Sequence, residues 1–346
     1  MKVSVIVPTR KRVEYLRNLL RNLSEQSQPP DEVILATTPQ DKKTVEFLDY
    51  IGSEFQGMKI ITIIEKGGTA KLRNLGVAKS SGKAVVFLDD DIILDRDYFR
   101  NLRKTFSRKD VNVVTGYTFD LVDLTTPWFA KKGDLRYIKT RNDEFTRILK
   151  LYLRERGLDV ERINYLRLIL WRVLKLMRNT LKSMFLWESP FKGKILPSGY
   201  RSEFPEITKL KGIVEVEWVQ GNNFSAKREV LLKFPFNEEL ERRSSYALNE
   251  DLEWSARVGL KYKIYLSPDL KAIHLRAPGM RLDNEKRLEA LLESTYLIAK
   301  IRGNSIAHLW SSLGLLTMNL ISIPITPSKG VKNSRIIIKT LKRLYL

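Results

Sequence analysis

The sequence predicts an α/β protein built on a parallel, doubly wound sheet, and three observations predict it. Short β-branched or apolar runs recur about every 25 residues: Val3 to Val7, "EVILA" at 32–36, "MKIITIIE" at 58–65 and "AVVFL" at 84–88. Helical patterns lie between them, with Leu16, Leu19, Leu20 and Leu23 at spacings of three and four, then "TVEFLDYI", then a segment from Gly68 through Ala78. Turn formers separate the two kinds of segment: Pro8, the pair Pro29 and Pro30, and Gly67 with Gly68. Strands that alternate with helices in this way form a sheet whose ligands sit at the carboxyl ends of the strands.

Further along, "VNVVTGYTFDLV" at 111–122 reads as one more strand, after which the alternation stops. Residues 131–182 hold 15 Lys or Arg against 6 Asp or Glu. Within 163–186, Leu166, Ile169, Leu170, Val173 and Met177 share one helical face and Arg167, Arg172, Lys175, Arg178 and Lys182 the other, which predicts a basic amphipathic helix. "VEVEWVQGNNFSAKREVL" at 214–231 reads as strand, Gly-Asn turn and short helix. "NEDLEWSARVGL" reads as a helix that opens with acids, and "YKIYLSPDLKAIHL" as two strands. From Asn284 the pattern is helical. Residues 304–327 carry no formal charge apart from His308 and raise the question of a membrane span, against a buried or interfacial helix pair.

Composition narrows the function classes. A chain of 346 residues can bury a large α/β core with an appendage. The absence of cysteine excludes disulfides, zinc-thiolate sites and thiol nucleophiles, and two histidines exclude histidine-rich metal sites. A formal charge of +21 implies an anionic partner: nucleotide phosphates, nucleic acid or a membrane surface. "MKVSVIVPTRKR" has its basic cluster after the apolar run, so it reads as a first strand and not as a secretory signal, and a cytoplasmic location is expected.

The run "FLDDDIILD" stacks Asp89, Asp90 and Asp91 at the end of a predicted strand. Like charges so placed repel one another and need compensation. A divalent cation such as Mg²⁺ or Mn²⁺ is one solution, since these ions use one or two carboxylates together with substrate phosphates. A solvated acidic turn that caps the next helix is the other.

The order and spacing of five blocks resembles the family 2 glycosyltransferases: "VSVIVPTRKR", "GGTAKLRNLGVAKSSGKAVVFLDDD", "GNNFSAKREVL", "NEDLEWSARV" and "AIHL", covering most of 1–125 and 212–280. That resemblance implies a GT-A fold with a mixed central sheet, a nucleotide-diphosphate sugar donor, a glycan or lipid-linked acceptor and inversion at the anomeric carbon. It implies that Pro8, Thr9, Arg10, Thr37 and Arg73 contact the nucleotide sugar together with Asp89 and Asp90, Asp90 being the likeliest of the acids to be dispensable. It implies Asp91 as metal ligand, with His274 as either a second ligand or a core histidine. Asp251 matches the family's base and Glu250 a donor-sugar or acceptor contact, although the same acids could merely cap a helix. Gly221, Asn222 and Asn223 resemble the acceptor loop, and Trp218 and Trp254 are either sugar-stacking or core aromatics.

The expected organisation is a nucleotide-binding half at 1–125, a basic helical insert at 126–211, an acceptor and base half at 212–280 and a C-terminal helical region at 281–346. Peripheral contact with the cytoplasmic face of a membrane is expected, from the basic insert with Trp171 and Trp187. A nucleic-acid-binding protein on an α/β scaffold is the rival reading, and it leaves the acids at 89–91 and 250–251 without a role. A third reading keeps the fold without catalysis.

Overall fold

The computed structural model describes residues 1–126, 131–162, 180, 182–244, 248–278, 283–324 and 326–346. The amphipathic pattern at 163–186 falls largely outside the described residues. Nine strands form one mixed sheet: β1 Val3–Pro8, β2 Glu32–Thr37, β3 Ile60–Ile64, β4 Ala84–Leu88, β5 Ile92–Leu94, β6 Val113–Asp120, β7 Val214–Val216, β8 Asn223–Lys227 and β9 Ile264–His274. Their order is β3-β2-β1-β4-β8-β6-β9-β5, with β7 on β9. The parallel half, β3-β2-β1-β4, is the predicted doubly wound unit. β8 then enters antiparallel to both β4 and β6 and makes the sheet mixed.

Alternation along each strand divides the core between the two faces of the sheet. In β1, Val3, Val5 and Val7 join one apolar cluster and Ile6 the other. Helix Val13–Ser24 covers the first face with Leu16, Leu19, Leu20 and Leu23, the four residues whose spacing predicts it. Helix Thr69–Lys79 covers the second, and it crosses so near β1 that a Cβ on Gly76 would meet Ile6 Cγ2 at 2.7 Å.

One expectation fails. "YKIYLSPDLKAIHL" is a single strand of 11 residues, not two. Its parallel pairing with β6 breaks between Gly116 and Tyr117, where Ser267 and Lys271 are the successive partners. The irregularity takes up Pro268, Asp269 and Leu270 without ending the strand, as bulges do.

The charged side chain of Glu32, at the start of β2, is fully buried. It accepts from Ser4 Oγ and Ser81 N at 2.6 Å each and from Lys59 Nζ at 2.8 Å. Burial opposes its charge, but the donors prevail and its pKa falls to about 2. A carboxyl depressed in the folded state contributes stability above its ordinary pKa near 4.5 and loses it as pH falls toward 2. Glu32→Gln should therefore cost about 1–3 kcal/mol at pH 7 and flatten the acid limb of the unfolding curve, measured by urea titration across pH.

The chain after residue 281 forms three helices, Asn284–Ile301, Ser305–Ile321 and Pro327–Tyr345. Among the described residues no helix is long and apolar enough to cross a membrane. That removes the span considered for 304–327.

Candidate active site

Register brings the strand-end acids together. Leu88, the last residue of β4, pairs with Asn223, and at Asp89–Asp91 the chain leaves β4 and turns into β5. Ile92 in β5 then pairs with His274, and so does Asp120 at the end of β6. Asp91 thus stands beside His274 because two separate strand pairings put it there.

The three corner acids face three ways. Asp91 is buried, and its Oδ2 accepts the Ala277 N–H at 2.8 Å. Its Oδ1 lies 3.3 Å from His274 Nε2 and makes no hydrogen bond of its own. Asp89 opens to solvent, with its Oδ1 3.7 Å from Arg73. Asp90 turns away from the cavity: Thr9 Oγ1 donates to it at 2.8 Å and Arg12 at 3.1 Å, so it braces the loop after β1. Burial carries the Asp90 pKa up to about 6 despite the nearby Arg12.

His274 is held from both sides. Its Nδ1 donates to Asp120 Oδ2 at 3.0 Å, Asp120 also accepts from Arg276 Nε at 2.5 Å, and the Asn222 amide lies 3.0 Å from the same ring nitrogen. Burial disfavours the imidazolium, yet the hydrogen bond to Asp120 and the negative charge of nearby Asp91 outweigh it and carry the pKa up to about 9. Fixing the proton on Nδ1 leaves Nε2 directed at Asp91, the arrangement in which a carboxylate orients a metal-ligating histidine. Single oxygens of Asp89 and Asp91 and a ring nitrogen of His274 lie within 4.8 Å of one another, so these side chains could hold a cation.

Across the cavity, helix Glu250–Val258 follows Asn249, which adopts a left-handed φ of 62°, a conformation asparagine tolerates better than most residues. Asp251 Oδ2 accepts the Gly221 N–H at 2.9 Å and stands 3.5 Å from Arg201, while Oδ1 accepts from its neighbour Leu252. Glu250 pairs with Arg73 at 2.6 Å. Burial, helped by the charge on Asp251 and opposed by Arg73, lifts the Glu250 pKa to about 7. Arg73 is itself buried between the rings of Phe87 and Phe236, and it also donates to Gly221 O at 2.8 Å. It is therefore an internal strut between the acids of β4 and those of helix Glu250–Val258.

Asp89 from the strand-end acids and Glu250 and Asp251 from the facing helix line one cavity of about 450 Å³, together with Gly221, Asn222, Trp218 and His274. Gly221 sits where space is tight: a Cβ there would stand 3.2 Å from Asp251 Oδ2 and 3.4 Å from Arg73, so Asp251 would have to give by a few tenths of an ångström. Gly221→Ala should push Asp251 aside and lower turnover about tenfold or more with little change in melting temperature, read by initial rates beside a thermal melt.

Other expected residues lie elsewhere. Asn223 is fully buried in β8, its amide engaged by Tyr98 Oη, Thr118 and Leu270 O. Trp254 is core, and Trp218 is closed between Phe204, stacked at 3.9 Å, and Arg201, 4.4 Å away, so neither presents a free ring to a sugar. Pro8 ends β1 and Arg10 is exposed after it. Thr37 is buried at the end of β2 with its hydroxyl unpartnered.

Four site residues were not anticipated: Arg12, Asp120, Arg201 and Arg276. Asp120 carried a usable signal, because it is an acid close to the end of a predicted strand. Arg201 carried none, since it reaches the cavity from the 126–211 segment through a β-bridge between Ile195 and Arg201.

The chain is similar to known glycosyltransferases in sequence and in fold. Residues 4–158 match the model for Glycosyl transferase family 2. Glycosyltransferase GlyG of Streptococcus pneumoniae is 25% identical over 123 residues, 35% of this chain and 41% of that protein. The O-antigen chain rhamnosyltransferase RfbN of Salmonella typhimurium is 32% identical over 122 residues, 34% of this chain and 37% of that one. The aligned stretch thus spans about two-fifths of these relatives.

Among solved structures, Staphylococcus aureus TarS 1–349 in complex with UDP-GlcNAc superposes with a TM-score of 0.52 at 15% identity, over 99% of this chain and 80% of that one. The mannosyltransferase PcManGT from Pyrobaculum calidifontis, in complex with GDP-Man and Mn²⁺, gives 0.50 at 14% identity over 99% and 87%. Residues 4–158 are thus similar to glycosyl transferase family 2, and the mixed sheet has the GT-A fold of these solved structures.

Proposed function

We propose that this chain is a metal-assisted, inverting glycosyltransferase that moves a sugar from a nucleotide-diphosphate donor to a glycan or lipid-linked glycan at the cytoplasmic face of a membrane. The observation that carries the reading is the placement of two acid groups of different kinds around one cavity: Asp89 and His274, with Asp91 within 4.8 Å of both, and Glu250 with Asp251. The donors named for TarS and PcManGT support a nucleoside diphosphate sugar as the ligand class.

Asp89, Asp91 and His274 fit Mn²⁺ or Mg²⁺, because two carboxylate oxygens and a ring nitrogen converge and one of those oxygens, Asp91 Oδ1, is buried without a hydrogen bond. Bound there, the ion would supply positive charge against the departing diphosphate. Asp251 takes the proton of the acceptor hydroxyl as its oxygen bonds to the anomeric carbon. The bond from that carbon to the diphosphate oxygen breaks, and the nucleoside diphosphate leaves with the electron pair. Base and leaving group must lie on opposite faces of the sugar, which is why the base comes from a different element than the strand-end acids.

Glu250 has the pKa suited to a base at neutral pH, yet its carboxylate is committed to Arg73. Its charge keeps that strut paired, so kcat/KM should fall as pH drops below about 7, and Glu250→Gln should flatten that limb. A pH–rate series on both proteins checks this.

A thermal-shift screen of nucleotide sugars with and without Mn²⁺ tests the function directly, since a ligand bound only by the folded protein raises its melting temperature. No shift by any nucleotide sugar at saturating metal would overturn the proposal. Inversion is read from the anomeric configuration of the product by NMR.

A further inference from the structure

Helix Ser305–Ile321 is built inside out. Ala307, His308, Ser311, Ser312 and Gly314 face the protein and are buried, while Ile306, Trp310, Leu313 and Leu320 are exposed, at 82% and 46% for the first two. Their spacing of four, three and seven sets them along one stripe. A helix with a water-facing side ordinarily shows the reverse pattern.

Packing prevents this stripe from rolling inward. Gly314 passes so close to Phe185 that a Cβ would meet the ring at 2.1 Å. The Trp310 indole donates to Met184 O at 2.9 Å, and Trp187 donates to Ser311 O at 3.1 Å. Met184, itself exposed, widens the apolar face.

The next helix, Pro327–Tyr345, adds charge to the same unit. Val331, Arg335, Ile338 and Lys342 form an exposed row in which apolar residues alternate with cations. From residue 305 to the last residue the sequence holds six Lys or Arg and no Asp or Glu. Lys332 is paired with Glu285, and Arg343 with Glu289 and Glu293, all on helix Asn284–Ile301. Lys329, Arg335, Lys339 and Lys342 make no ion pair among the described residues.

We propose that these two helices form a docking surface for an anionic lipid bilayer. The apolar stripe enters the headgroup boundary, the Trp310 ring sits at that level, and the unpaired cations meet the surface charge. The 17 residues of Ser305–Ile321 give a helix of roughly 26 Å, short of the roughly 30 Å hydrocarbon core, so the helix lies on the membrane instead of crossing it. A second copy of the chain could also cover the stripe. It would bring the same unpaired cations face to face, with no acid in 305–346 to answer them. This surface is separate from the cavity, so the inference stands or falls independently of glycosyl transfer.

Sedimentation of the full chain with vesicles tests it. Binding is expected to vesicles of phosphatidylcholine with one-third phosphatidylglycerol, at least tenfold tighter than to phosphatidylcholine alone, and reduced by 0.5 M NaCl. Ile306→Ser with Leu320→Ser, and separately Lys339→Glu with Lys342→Glu, should each weaken binding tenfold or more. Because all four side chains are exposed, the melting temperature and the thermal shift by nucleotide sugars should stay as in the parent. Failure to bind anionic vesicles at low salt would overturn the proposal. So would a dimer, measured by light scattering, that the Ile306 and Leu320 changes dissociate while vesicles go unbound.

Discussion

Asp251→Asn should lower turnover by about 1,000-fold, within the span that a positioned general base supplies, while nucleotide sugars still raise the melting temperature. The loss falls on kcat because the amide cannot accept a proton from the attacking hydroxyl. The substitution keeps the side chain's size but not all its bonds. One oxygen can still accept from Leu252 N, whereas the amino group would face the Gly221 N–H that Asp251 Oδ2 now accepts. A stability cost of about 1–3 kcal/mol is therefore expected alongside the catalytic loss. Asp251→Ser, which removes the carboxylate without setting two donors against each other, separates the two effects. Unchanged turnover in both variants would remove Asp251 from the chemistry and leave Glu250 as the other acid of that helix that lines the cavity.

The second large effect is expected at Asp91. Asp91→Asn preserves one oxygen for the Ala277 N–H and so should fold, but it replaces the buried, unbonded oxygen near His274 with a donor. Turnover should fall by about 100-fold or more at low Mn²⁺ and recover in part as the metal concentration is raised, since a bound cation contributes several kcal/mol against leaving-group charge. The dependence of the nucleotide thermal shift on Mn²⁺ should weaken in parallel. Asp90→Asn is the contrast: Asp90 bonds Thr9 and Arg12 inside the loop after β1, so its loss should appear in stability before it appears in metal dependence. Equal metal responses in the two variants would refute the division of roles between neighbouring acids.

The strands and helices of the parallel half were legible because each is coded locally. The β-branched runs and the leucines of Val13–Ser24 bury one face apiece, and period alone reveals which. The reading of 262–275 as two strands failed because Pro268 is a local signal for a break, whereas the irregular pairing with β6 that absorbs it is not local. Arg73 was legible as a residue of the site but not as a strut, since its role depends on Phe87 and Phe236 enclosing it and on Glu250, 177 residues away. Asn223 and Trp218 have the residue types of a sugar site. The sheet and Phe204 claimed them, which no spacing could announce.

What the sequence by itself determined is therefore the class of the fold, the acids at its strand ends and the acidic helix that faces them, because periodicity and residue type are properties of short segments. Only the tertiary structure decided which of the three neighbouring aspartates looks into the cavity, that Asp120 orients His274, and that Arg201 stands beside Asp251. Those outcomes follow from strand register and from contacts between segments far apart in the chain. A shift of register by one residue would turn Asp91 away from His274 while leaving every local pattern unchanged.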